Sequence, residues 1–175
     1  MRKKGFSLVE LLIVLAVIAA LIATITPVAL NAIKKAHTTK MVQNISTLAK
    51  AVQNAALING TEDKEGTPMI LRGEDLFLEN PEDIKHLGRD VDPKHYGIWY
   101  SIQKGLVYVG VFSNDPCDPK IAKEMLSTAE YVEDPNTGHP LKDYFMDYQD
   151  NLVKLGELDS SELPMLVYLY KFDVY

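Results

Sequence analysis

Leu11-Leu-Ile-Val-Leu-Ala-Val-Ile-Ala-Ala-Leu-Ile-Ala-Thr-Ile-Thr-Pro-Val-Ala-Leu30 is an unbroken apolar run, and no charged residue occurs from Leu11 to Ile33. Its length matches the ~20 apolar residues that carry a helix across a bilayer core. The run reads as a membrane segment over about residues 10–33. A cleavable secretory signal instead needs an h-region of about 7–15 residues ahead of a small-residue A-x-A-like site. Here the run is longer, and Thr24, Thr26 and Pro27 lead into Val-Ala-Leu-Asn with no such box. Glu10 is the anomaly at its leading edge. A lone carboxylate costs at least ~2.5–3.5 kcal/mol near the bilayer centre and less at an interface, so Glu10 demands a partner.

Past Pro27 the pattern changes from apolar all round to amphipathic. Met41, Ile45, Leu48, Val52 and Ala55 recur at alternating spacings of four and three, which is one face of a helix. Lys40, Gln43, Asn44, Thr47, Lys50 and Asn54 occupy much of the remaining surface. Asn59-Gly60 supplies a C-terminal stop. A helix from Phe6 to Ile58 would be about 80 Å long at 1.5 Å per residue, kinked or locally melted at Pro27. The first half has no stable home in water as a monomer and must lie in lipid or against copies of itself. The second half needs a head to cover its stripe. Ala19, Ala20 and Ala23 permit close approach of helices, although ordinary anchor composition accounts for them equally well.

Ahead of the run, a basic pentapeptide closes on a small residue: Met1-Arg-Lys-Lys-Gly5, followed by Phe6-Ser-Leu-Val-Glu10. Cleavage after Gly5 would leave the apolar segment on the mature chain. Lys3-Lys-Gly5-Phe6-Ser-Leu-Val-Glu10-Leu-Leu-Ile-Val14 resembles the class III leader of type IV pilins and type II secretion pseudopilins. The resemblance covers about residues 1–58. It implies a cut between Gly5 and Phe6 by prepilin peptidase, N-methylation of Phe6, and Glu10 as the glutamate used in assembly. Pro27 sits where such stems commonly carry a helix-breaking proline. The implied fold is α+β and pilin-like, a long N-terminal helix packed on an antiparallel β-sheet head. Residues 1–5 form the leader, 6–59 the stem and 60–175 the head.

Charge chemistry supports these roles independently. Cleavage would give Phe6 an α-amino cation, which can neutralise a carboxylate in apolar surroundings. Phe6 and Glu10 are i,i+4 on a helix, so the pair can form within a subunit or between neighbours. Between neighbours it would fix axial register more than it adds net stability. The positive-inside rule alone gives no orientation, because Arg2, Lys3 and Lys4 are balanced by Lys34, Lys35 and Lys40. The leader resemblance implies an outward-facing head.

The 175 residues suffice for one compact domain and an extension. Charge divides them unevenly. Residues 1–5 carry +3, and residues 6–59 carry +3 from four lysines and Glu10; residues 60–175 hold 11 basic and 23 acidic residues, for −12 of the total −6. So acidic a head disfavours a general nucleic-acid surface. In that head, Asn80-Pro-Glu-Asp83 to Gly88 reads as a short helix. His95–Gln103 and Leu106–Phe112 read as a hairpin across Lys104-Gly105, its aromatic and β-branched content suited to a sheet over the stem. Asp118-Pro119 starts a helix with Ile121, Met125, Leu126, Ala129 and Val132 on one face. Leu141, Phe145, Tyr148, Leu152 and Leu155 suggest another, closed by Gly156, and Met165–Tyr175 a terminal strand.

The head offers little catalytic chemistry. His37, His86, His95 and His139 lack metal-ligand spacing, and no nucleophile-elbow, Walker or dinucleotide glycine pattern occurs. The single Cys117 excludes an intrachain disulfide, so another brace must hold the C-terminal loop that a cysteine pair bounds in many pilins. Its neighbours Asp115 and Asp118 should raise its pKa and disfavour a reactive thiolate. No enzyme and no cofactor are expected. Calcium is the one metal alternative, on Asp115, Asp118, Asp134 and Asn136, which turn capping explains as well.

The leading expectation is a structural subunit of a type IV pilus or pilus-like filament. Its partners would be copies of itself and related pilins, prepilin peptidase, an inner-membrane assembly platform, and membrane lipid before assembly. It would span the inner membrane once and end in an extracellular pilus or a periplasm-spanning pseudopilus. The alternatives are a type II secretion pseudopilin and a membrane-anchored surface binding protein that does not polymerise. The last needs neither Glu10 nor Gly5-Phe6.

Overall fold

The computed structural model describes residues 7–61, 70, 83–88, 91–103, 105–133, 153–157 and 163–174. A single helix, α1 (Leu8–Asn59), dominates it. Ser7 caps its start in an extended conformation, and Gly60 ends it with φ of 80° and an N–H donated to the Ala56 carbonyl. At 1.5 Å per residue its 52 residues reach about 78 Å. The helix continues without a break through Pro27, so the local melting expected there does not occur. Thr24 and Thr26 precede the proline and donate their hydroxyls to the Leu21 and Ile22 carbonyls at 2.8 Å, bonds that lie wholly within the helix.

Burial divides α1 in two. Every residue from Ser7 to His37 is exposed, and burial begins at Thr38. From there Met41, Ile45, Leu48 and Val52 of the expected stripe are buried while Ala55 is only half-buried, and Val42, Ala49 and Ala56 widen the buried face. They lie against a five-stranded antiparallel sheet built from β1 (Tyr96–Gln103), β2 (Leu106–Ser113), β3 (Ala129–Val132), β4 (Val153–Leu155) and β5 (Met165–Asp173) in the order β3-β5-β2-β1-β4. The central hairpin joins β1 (Tyr96–Gln103) to β2 (Leu106–Ser113) with Tyr96 opposite Ser113 and Gln103 opposite Leu106. Gly105 takes φ of 83° in the turn, the left-handed region that favours glycine. The terminal strand β5 (Met165–Asp173) runs along the whole of β2.

Strand alternation gives the sheet two apolar faces. Ile98, Tyr100 and Ile102 of β1, Val107, Val109 and Val111 of β2, and Leu166 of β5 join the α1 stripe in one core. Trp99, Phe112, Val132, Met165 and Val167 form a second cluster on the opposite face. Helix and sheet are also tied by polar contacts. The Tyr170 hydroxyl donates to the Ala49 carbonyl, and Asn44 Nδ2 donates to the Tyr96 hydroxyl at 3.2 Å.

Two sequence expectations are corrected. The helix begun at Asp118 is only α3 (Pro119–Met125); Ala129 and Val132 instead belong to edge strand β3 (Ala129–Val132), which pairs with β5. Val153, Lys154 and Leu155, read as the end of a helix, form β4 (Val153–Leu155) on β1. At 129–132 apolar residues spaced for a helix also suit a strand with one buried residue on each face, and in both places an available sheet edge decided the outcome. The rest of that expected helix, residues 141–152, lies outside the described residues. Helix α2 (Asp83–Leu87) is found before Gly88, while its expected start at Asn80–Glu82 also lies outside them.

Candidate functional site

The membrane-length part of α1 presents an apolar surface with no cover. Leu8, Val9, Leu11, Leu12, Ile13 and the large apolar residues up to Ile33 are roughly half to three-quarters exposed. An 18-residue window of this helix is long and apolar enough to cross a membrane, and none of it is buried. Such a surface needs lipid or protein against it.

Glu10 stands in the first turn of that helix, where a negative charge also complements the helix dipole. Its Oε2 accepts the Ser7 N–H at 2.8 Å, and Ser7 Oγ accepts the Val9 N–H at 3.3 Å. These are the reciprocal contacts of a capping box. The sequence reading passed over Ser7, although Ser-x-x-Glu ahead of an apolar run is a recognisable signature. The carboxylate thus has a partner within its own turn, formed without an α-amino group. Gly5 and Phe6 lie outside the described residues.

The second feature is the junction between stem and head. The hydroxyl of buried Thr38 accepts the Asp118 N–H at 2.8 Å and donates to the Lys34 carbonyl at 2.9 Å, locking the loop before α3 onto the helix. Asp118 Oδ1 caps α3 by accepting the Lys120 N–H at 3.0 Å. Asp115 Oδ1 lies 3.6 Å from His95 Nδ1, which also meets Asn114 Oδ1 at 3.0 Å. Beside this lock a groove of about 890 Å³ opens between α1 and the loop. Burial pushes the Cys117 thiol up to about 11, with Asp118 and Asp115 adding to the effect. The sequence reading named only the aspartates. Burial likewise raises the Tyr96 phenol well above its usual range.

The calcium alternative gains no support. Asp118 is committed to helix capping and Asp115 faces a histidine; Asp134 and Asn136 lie outside the described residues. No group of three or more His, Cys, Asp or Glu side chains gathers to hold a metal among the described residues. His37 and His86 are exposed, while His139 lies outside the described residues.

Residues 1–26 match a family model described as the prokaryotic N-terminal methylation motif. The chain therefore carries the class III prepilin leader of type IV pilins and pseudopilins, in front of an α+β layout of the pilin kind. No curated protein and no solved structure matches the chain.

Proposed function

We propose that this chain is a structural subunit of a type IV pilus or pilus-like filament, including the pseudopili of type II secretion. The observation that carries the reading is the methylation motif at residues 1–26 on a helix whose apolar surface is bare from Leu8 to Ile33. Prepilin peptidase cuts between Gly5 and Phe6, Phe6 is N-methylated, and the subunit waits as a single-pass membrane protein with its head outward. The stem, residues 6–59, then leaves lipid to pack against copies of itself and related pilins on an inner-membrane assembly platform. Pro27 is the bending point, and residues 60–175 form the outer surface. No step calls for catalysis by this chain.

Glu10 is the assembly residue in this reading. Its carboxylate is held by the Ser7 N–H in the single subunit. In the filament it also meets the α-amino cation of Phe6, from its own chain or a neighbour, which neutralises the charge as the stem is buried. Glu10→Ala is expected to insert into the membrane and to be processed to Phe6, while its incorporation into shed filaments falls at least tenfold. Mass spectrometry of the N-terminus and immunoblotting of sheared fibres measure the two steps separately. Incorporation at the wild-type level would refute the role given to Glu10.

A further inference from the structure

We propose that the groove between stem and head is a binding site for an anionic phospholipid head group, its phosphate bracketed by Lys34 and Lys40 of α1 and Lys120 of α3. The inference rests on the reading of α1 as a membrane span. The uncharged run ends at Ile33 and burial against the head starts at Thr38, five residues on and about 7.5 Å along the helix. A bilayer's polar layer is about 5–8 Å thick on each side, the difference between its hydrocarbon and total thickness. The gap between membrane core and head thus has the depth of one head-group layer.

The charges at that depth run against those of the head. No acid occurs on the stem after Glu10 as far as Thr61, whereas Lys34, Lys35 and Lys40 are exposed just above the apolar run. Lys120 and Lys123 are exposed on α3, which packs against the same stretch of α1. None of the five forms a salt bridge with another described residue. Next to the apolar run an acidic head thus gathers five lysines that form no salt bridge with a described residue, an arrangement that attracts anionic lipid.

The groove makes this collar a site. Lys34 and Lys40 line its stem wall and Lys120 its head wall, with Ile33 and Met41 as apolar lining. The Thr38 bond to the Asp118 N–H fixes the walls relative to each other. Three carboxylates, Asp92, Asp115 and Asp118, also line the groove; they keep their charge, but each is held by a local contact. Asp118 caps α3, Asp92 accepts the Lys94 N–H at 3.1 Å, and Asp115 lies against His95. His37, on the stem wall, adds a ring N–H donor that a phosphate oxygen can accept. A glycerophosphate seated between the lysines would leave its acyl chains beside the exposed apolar face below Ile33.

Native mass spectrometry of the full-length chain, released from micelles supplied with phosphatidylglycerol or phosphatidylcholine of identical acyl chains, tests the site. The wild type should retain phosphatidylglycerol preferentially. Lys40→Gln and Lys120→Gln should each cut that preference roughly fivefold. Lys171→Gln, at the far end of the sheet on β5, should leave it unchanged although it removes the same charge. Equal retention of the two lipids, an equal effect of Lys171→Gln, or displacement by millimolar inorganic phosphate would each overturn the proposal. Recovery of the chain in the aqueous phase without detergent or lipid would instead refute the membrane anchor itself.

Discussion

Cys117 shows how far one side chain's surroundings set its chemistry. A thiol pushed up to about 11 exposes little thiolate at neutral pH, and the main cause is burial against the stem–head junction. With the ordinary value near 9.0, the thiolate fraction at pH 7.5 drops roughly 100-fold. Alkylation of Cys117 by iodoacetamide should therefore be slow at pH 7.5 and rise about tenfold per pH unit until the pH nears 11. Pseudo-first-order rates between pH 7 and 11 check this, and a plateau near pH 9 would contradict it. The aspartates at 115 and 118 signalled the direction in the sequence. The larger effect, desolvation, required knowing that the loop folds onto α1.

Elements are fixed by what each segment meets. α1 was readable because its two patterns, apolar all round and then striped, continue over many turns. The short segments carried ambiguous signals. Ala129 and Val132 fit both a helix face and an edge strand, and only β5, far along the chain, offers the ladder that makes them strand. β4 depends on β1 in the same way, and Gly156 ends it with φ of 102°. A Cβ there would strike the Tyr96 carbonyl oxygen. Gly156→Ala should destabilise the head by about 2 kcal/mol or more, combining the left-handed penalty with that contact. Thermal unfolding of the full chain in detergent measures it, and an unchanged midpoint would show that β4 contributes nothing to the cooperative core.

At the scale of the molecule, the 52-residue helix serves two environments. Its first 30 residues are all exposed, while those from Thr38 to Ala56 include the stripe that forms one wall of the core. Removing residues 1–34 should therefore yield a soluble, folded, monomeric protein. Removal of residues 1–57 should abolish folding, because Met41, Val42, Ile45, Leu48 and Val52 each contribute about 1.5–3 kcal/mol of burial, together comparable to a whole domain's stability. Gel filtration and circular dichroism distinguish the outcomes. An aggregated product of the shorter deletion would mean that the apolar half is needed to fold the head.

The sequence by itself determined the leader, the membrane-length run, the stripe, the central hairpin and the terminal strand. The run, the stripe, the hairpin and the strand are local patterns of period and composition, and the leader was legible through its resemblance to a known motif. Only the tertiary structure decided that 129–132 and 153–155 are strands, that Thr38 clasps the loop at Asp118, and that lysines from two distant segments face each other across a groove. Those outcomes depend on residues 33 to 80 positions apart in the chain, or more, and no local period records which surfaces will meet.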